Sequence, residues 1–105
     1  MKESKVEAHL VERVEATGGL VRKIKYLGRK ACPDRLVGWP SRRGSLALQV
    51  HTAPAHHVLV ETKRPKGKAR DDQEREHERL RAIGFDVRVL DTIHAVDAFV
   101  EEMTR

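Results

Sequence analysis

The chain has 105 residues, 39% hydrophobic and 35% charged, and Lys plus Arg exceed Asp plus Glu by 21 − 16 = 5. That length points to one domain, 1–105, with one modest core that hides roughly 65% of the unfolded-chain surface. It holds no run of about 18 apolar residues that would cross a membrane. A pI near 9.7 favours a polyanionic partner such as nucleic acid, while aromatics at 4% are too sparse for the stacking platforms of single-strand binders.

The opening MKESKVEAHL is charged where a secretory signal needs an apolar stretch, and Cys32 is the single cysteine. Both suit a cytoplasmic protein without an internal disulfide framework. Ser4-Lys5-Val6-Glu7 has the spacing of a capping box, followed by the apolar stripe Val6, Leu10, Val11 and Val14. A first helix is expected from Ser4 to Thr17, with Gly18-Gly19 as its left-handed stop. A basic strand over Leu20–Leu27 and a short strand Arg35–Trp39 come next, the second stopped by Pro40.

Ser41–Ser45 has turn chemistry with a basic tip, and the alternation of Leu46, Leu48 and Val50 marks a hairpin strand. His57–Lys63 is the most strand-like stretch; its continuous Val58-Leu59-Val60 fits a strand buried on both faces. A basic loop RPKGKAR leads into a second helix from Asp71 or Asp72 to Ile83. Phe85, Val87 and Val89 then alternate as a strand. Thr92 caps a last helix with Ile93, Val96, Phe99, Val100 and Met103 on one stripe. The expected fold is α/β in the order α-β-β-β-β-α-β-α, a mixed central sheet flanked by helices. Its segment from His57 to Leu90 is a β-α-β crossover with parallel strands.

One constellation carries chemistry. Asp34 follows Pro33, and Glu61-Thr62-Lys63 stands 61 − 34 = 27 residues later. Side chains alternate along a strand, so Glu61 and Lys63 share a face, about 6–7 Å apart. A carboxylate that holds a divalent cation, beside an ammonium that positions water or neutralises developing charge, suits phosphodiester hydrolysis. Asp34 reaches the same cation from the neighbouring strand, and with the Thr62 carbonyl completes a hard oxygen site for Mg²⁺ or Mn²⁺. Gln73 lies two helical turns before Leu80, on the inward stripe, where a polar group needs a partner. Glu7 is either the third member of the capping box or a further carboxylate for the site.

With these residues the chain resembles the VRR-NUC (virus-type replication-repair nuclease) branch of the PD-(D/E)xK nuclease superfamily, in its small stand-alone phage form. The matching stretches are KESKVEAHLVERVEATGG, CPDRLV at Cys32–Val37, VLVETKRPKG at Val58–Gly67, the Gln73 helix and GFDVRVLDTIHAVDAF. The resemblance implies a restriction-endonuclease-like core. It implies Asp34 and Glu61 as metal ligands, Lys63 as the catalytic lysine, Glu7 as the first-helix acid and Gln73 as the glutamine after the core motif. It also implies a homodimer acting on branched DNA such as four-way junctions. Two features depart from the family pattern: Ala31-Cys32 stands where Gly-Val usually precedes Pro-Asp, and Ser41–His56 is an extra hairpin.

Lys25, Arg35, Arg42, Arg43, Arg64, Lys66, Lys68 and Arg70 are candidate contacts to the DNA backbone, giving salt-sensitive affinity without sequence preference. His51, His56 and His57 lack the cysteine partners and repeated spacing of a zinc site and read as surface histidines. The alternative from another class is a basic DNA-binding module that keeps the fold without cutting. A nuclease directed at RNA is a third reading.

Overall fold

The computed structural model describes residues 3–40, 42–45, 50–53, 56–63 and 70–105. Helix α1 (Glu3–Ala16) buries Val6, Leu10 and Val14 completely. It closes at Gly18, whose φ of +84° lets the amides of Thr17, Gly18 and Gly19 turn back onto the carbonyls of Val14 and Glu15. Gly19 is required for a different reason. A Cβ there would sit 2.6 Å from Val14 Cγ1, 2.7 Å from Trp39 Nε1 and 2.9 Å from the Gly38 carbonyl oxygen.

Strand β1 (Leu20–Lys23) pairs antiparallel with β2 (Arg35–Trp39). After the small pair β3 (Arg42–Ser45) and β4 (Val50–Ala53), strand β5 (His56–Thr62) pairs antiparallel with β2. Helix α2 (Asp71–Ala82) then leads to β6 (Asp86–Leu90), which runs parallel to β5, and α3 (Ile93–Met103) ends the chain. The main sheet is therefore mixed, in the order β1-β2-β5-β6, with β5 central. The parallel β5-α2-β6 unit is the expected crossover.

Residues paired across the ladder share a face, so register sorts the sheet into two sides. One side carries Val37, Trp39, Val58, Val60 and Leu90 and packs against α1 and α3, with Val96, Phe99 and Val100 in the same core. Leu59, Glu61, Lys63 and Val87 lie on the other side, which α2 covers. Thr92 caps α3 as expected, its hydroxyl accepting the Ala95 amide at 2.9 Å.

Two stretches differ from the sequence expectation. β1 ends at Lys23 instead of Leu27, after which only the Ile24 amide continues toward β2, donating to the Asp34 carbonyl at 3.2 Å. Arg42–Ser45, expected as a turn, is a strand, and the inserted hairpin forms a separate two-stranded sheet. Among the described residues five strands therefore precede α2 instead of the expected four. Leu46–Gln49, the heart of the expected hairpin strand, lies outside the described residues.

Candidate functional site

The C-terminal end of central β5 gathers side chains from four elements. Pro33 is buried and opens β2's approach; one step beyond the Arg35–Val60 pair the register sets Asp34 opposite Glu61, with its carboxylate reaching Thr62. Asp34 Oδ1 accepts the Thr62 amide at 3.3 Å, and Asp34 Oδ2 lies 3.0 Å from Thr62 Oγ1. From α1, Glu7 Oε1 also lies 3.0 Å from Thr62 Oγ1, while Arg35 donates to Glu7 Oε2 at 3.0 Å. Both Glu7 oxygens are thus bonded within this cluster.

Arg35 was expected to face DNA. Its side chain is only 12% exposed and binds Glu7 and the Asp34 carbonyl. The strand period explains the difference, because Arg35 shares a face with Val37 and therefore points toward α1.

Glu61 and Lys63 share the opposite face, with Lys63 Nζ 3.9 Å from Glu61 Oε2. Lys63 Nζ donates to Gln73 Oε1 at 3.0 Å, and the same oxygen accepts the Arg70 amide at 3.0 Å. Gln73 is buried as its stripe position requires, and it fixes both the lysine and the first turn of α2. His77, one turn further along α2, was not singled out by sequence. It is buried, with Nε2 4.0 Å from Glu61 Oε1. Desolvation, then the nearby charges of Arg81 and Lys63, hold its pKa below the usual histidine value, so the ring is neutral at pH 7. The signal for it was its i+4 spacing from Gln73.

The donor set suits a hard cation. Thr62 Oγ1 has one proton and two carboxylate neighbours, so one of those contacts sets oxygen lone pairs against each other. Burial pushes the Asp34 carboxyl up, the two Thr62 bonds and Arg35 pull it down, and Glu7 pushes it further up. A divalent cation would relieve both stresses. Among the described residues no group of three or more His, Cys, Asp or Glu side chains is gathered closely enough to hold a metal ion.

The outer basic residues are less gathered. Lys25 is exposed, and Arg70 is exposed with Nε 3.3 Å from Asp72 Oδ1. Arg42 and Arg43 lie on β3, and Arg64, Lys66 and Lys68 fall outside the described residues. His56 and His57 are exposed, in keeping with surface histidines. Cys32 is half-buried, and burial raises its thiol pKa above the usual value, which argues against a nucleophile. No helix among the described residues is long and apolar enough to cross a membrane.

Known proteins resemble this chain in sequence and in fold. The chain is 38% identical over 92 residues to a protein named "Putative nuclease p44" from Acyrthosiphon pisum secondary endosymbiont phage 1, covering 88% of this chain and 85% of the relative. A solved structure titled "VRR_NUC domain" superposes with a TM-score of 0.74 and 38% identity, covering 96% of each chain. No family model matches the sequence.

Proposed function

The chain belongs to the VRR-NUC family, and from that premise we propose that it is a divalent-metal-dependent DNA endonuclease selective for branched substrates such as four-way junctions. The observation that carries this reading is the convergence at the end of β5. There Asp34 and Glu7 share one Thr62 hydroxyl, while Lys63 is held by Gln73 beside Glu61.

Asp34, Glu61 and the Thr62 carbonyl would hold Mg²⁺ or Mn²⁺, with Glu7 as the auxiliary carboxylate. When bound, the cation supplies Lewis-acid polarisation of the phosphate and makes water a stronger nucleophile. Lys63 orients the attacking water and offsets charge that develops on the phosphate oxygens. Gln73 keeps the ammonium on the catalytic face, and Arg35 holds Glu7 in place. Lys25, Arg70 and the basic residues at 42, 43, 64, 66 and 68 serve the DNA backbone.

A homodimer completes the reading, since a junction needs two cuts and two-fold symmetry supplies them. The half of the sheet that α2 leaves uncovered supports it. There a groove of about 330 Å³ is lined by Leu20, Leu36, Gly38, Trp39, Pro40 and His57, with Leu20 52% and Leu36 38% exposed. Light scattering at micromolar concentration should give twice the chain mass; the monomer mass would remove the dimer. The place of action is the cytoplasm of a bacterial or phage-infected cell.

The decisive experiment is cleavage of end-labelled four-way junction, flap, duplex and single-stranded DNA, with matched RNA. Each is run with Mg²⁺, Mn²⁺ or EDTA, beside Glu61→Ala. Metal-dependent cutting lost in the variant is expected, strongest on the junction. Full cutting by Glu61→Ala would overturn the assignment. Tight junction binding without turnover in any metal would make the protein a DNA-binding module on the same fold.

A further inference from the structure

A second concavity, of about 240 Å³, lies between the loop that leads to Asp34 and α2. Arg29, Lys30, Asp72, Arg75, Glu76 and Arg79 line it, so four cations face two carboxylates. The helical period separates it from the metal site. Gln73 and His77 stack on one flank of α2, and Arg75 and Arg79, two residues on from each, stack on the far flank. None of these four cations was singled out in the sequence.

The cluster is built, not incidental. Glu76 is buried, and its carboxylate accepts the Tyr26 hydroxyl on one oxygen. The other oxygen takes Arg29 at 3.4 Å and Arg79 at 3.2 Å. That bond from Tyr26 is the main reason the Glu76 pKa falls below the usual carboxylate range, so the anion persists at neutral pH. One buried anion therefore tethers two guanidinium groups, from the loop and from the helix, at a single mouth. Their side chains remain 61% and 58% exposed. Guanidinium groups so exposed contribute little to stability through their ion pairs, which is a weak reason to converge four cations. Forked guanidinium donors held open to solvent match the geometry of phosphate oxygens.

We propose that this cavity is a second phosphate-binding site, which grips a backbone phosphate of the DNA away from the one being cut. The inference rests on the nuclease reading, and it identifies the second surface that holds the substrate strand. One short loop runs from Lys30 and Ala31 into Pro33-Asp34, and one helix carries both flanks. A phosphate held in the cavity therefore fixes the strand relative to Asp34 and Lys63. Contacts of this kind give affinity without sequence information.

The test is binding of fluorescent junction and duplex DNA in EDTA by the full chain, across a salt series of about 50–200 mM. Wild type, Arg75→Gln, Arg75→Gln/Arg79→Gln and Lys5→Gln/Arg13→Gln are compared, the last pair lying on α1 across the sheet. The cavity variants should bind several-fold more weakly, with a log K against log[salt] slope shallower by about one per lost contact. Their melting temperatures should stay close to that of wild type, which separates a lost DNA contact from a lost fold. An unchanged slope in the cavity variants, beside a wild type that still cuts, would overturn this inference alone, as would an equal change in the α1 pair. Wild type that neither binds nor cuts DNA would overturn the nuclease reading with it. Protection by inorganic phosphate with no effect on DNA binding would reassign the cavity to free phosphate and overturn the DNA contact.

Discussion

Lys63 Nζ and Gln73 Oε1 meet at 3.0 Å, and this bond joins the end of the central strand to the first turn of α2. The same oxygen caps the helix through the Arg70 amide, so Lys63 and the helix start are set by one side chain. Gln73→Ala should lower the single-turnover cleavage rate by about 10–100-fold, the cost of a misplaced group of this kind. KM for DNA should change by no more than about twofold. Gln73→Glu, which keeps an acceptor for both donors, should recover most of the rate. Equal losses in both variants would mean that the acceptor is not what matters.

Asp34 sets stability against activity. Burial raises its folded pKa above the unfolded value. The stability linked to its protonation is complete below the unfolded pKa and disappears as pH rises through the folded one. At neutral pH the ionised side chain is therefore a net cost to the fold. Asp34→Asn should melt higher than wild type at pH 7 without metal, with the gap closing below about pH 4. Added Mg²⁺ should raise the wild-type melting temperature and leave the variant nearly unmoved. Thermal melts over a pH series, with and without Mg²⁺, check both signs; a variant that melts lower at pH 7 would contradict the burial argument.

The elements that were legible in sequence are those whose pattern is local. β2 spans Arg35–Trp39 as read, because Pro33 and Pro40 bracket it. α3 follows its Thr92 cap and apolar stripe. The site was legible where spacing alone places side chains: Glu61 with Lys63 by strand period, and Gln73 by helix period. What stayed hidden depends on contacts distant in sequence. Arg35 turns to Glu7 across 28 positions, and Glu76 meets Tyr26 across 50. Neither pairing has a local signature. Val89 continues the alternation of Val87, yet it is 39% exposed, because β6 is an edge strand and Val89 pairs with Glu61 near its end.

Gly19 tests the packing of α1 on the sheet. A Cβ there would lie under 3.0 Å from Val14, from Trp39 and from the Gly38 backbone, and a backbone oxygen cannot rotate away. Trp39 is also tied, its indole nitrogen donating to Thr17 Oγ1 at 2.9 Å. Gly19→Ala should destabilise the chain by about 1–3 kcal/mol, read as a lower midpoint in urea with an unchanged m-value. A wild-type midpoint would mean that the α1–β1 junction shifts freely.

Ala31 adopts φ +72°, the one positive φ of a non-glycine residue among the described residues. It occupies the position at which the resembling family carries glycine, three residues before Asp34. The backbone thus keeps the left-handed turn although the side chain opposes it, at a cost of about 1–2 kcal/mol. Glycine would remove that strain but lose about 0.4–1 kcal/mol through its freer unfolded chain. Ala31→Gly should therefore stabilise the protein by about 0.5–1 kcal/mol, with cleavage unchanged within about twofold. Ala31→Val should do the reverse, because a β-branched residue is a worse occupant of positive φ. Urea unfolding of the three proteins orders them Gly, Ala, Val if the turn is retained. A less stable Ala31→Gly would show that the methyl group is held by favourable packing against its neighbours, and that the loop tolerates alanine for that reason.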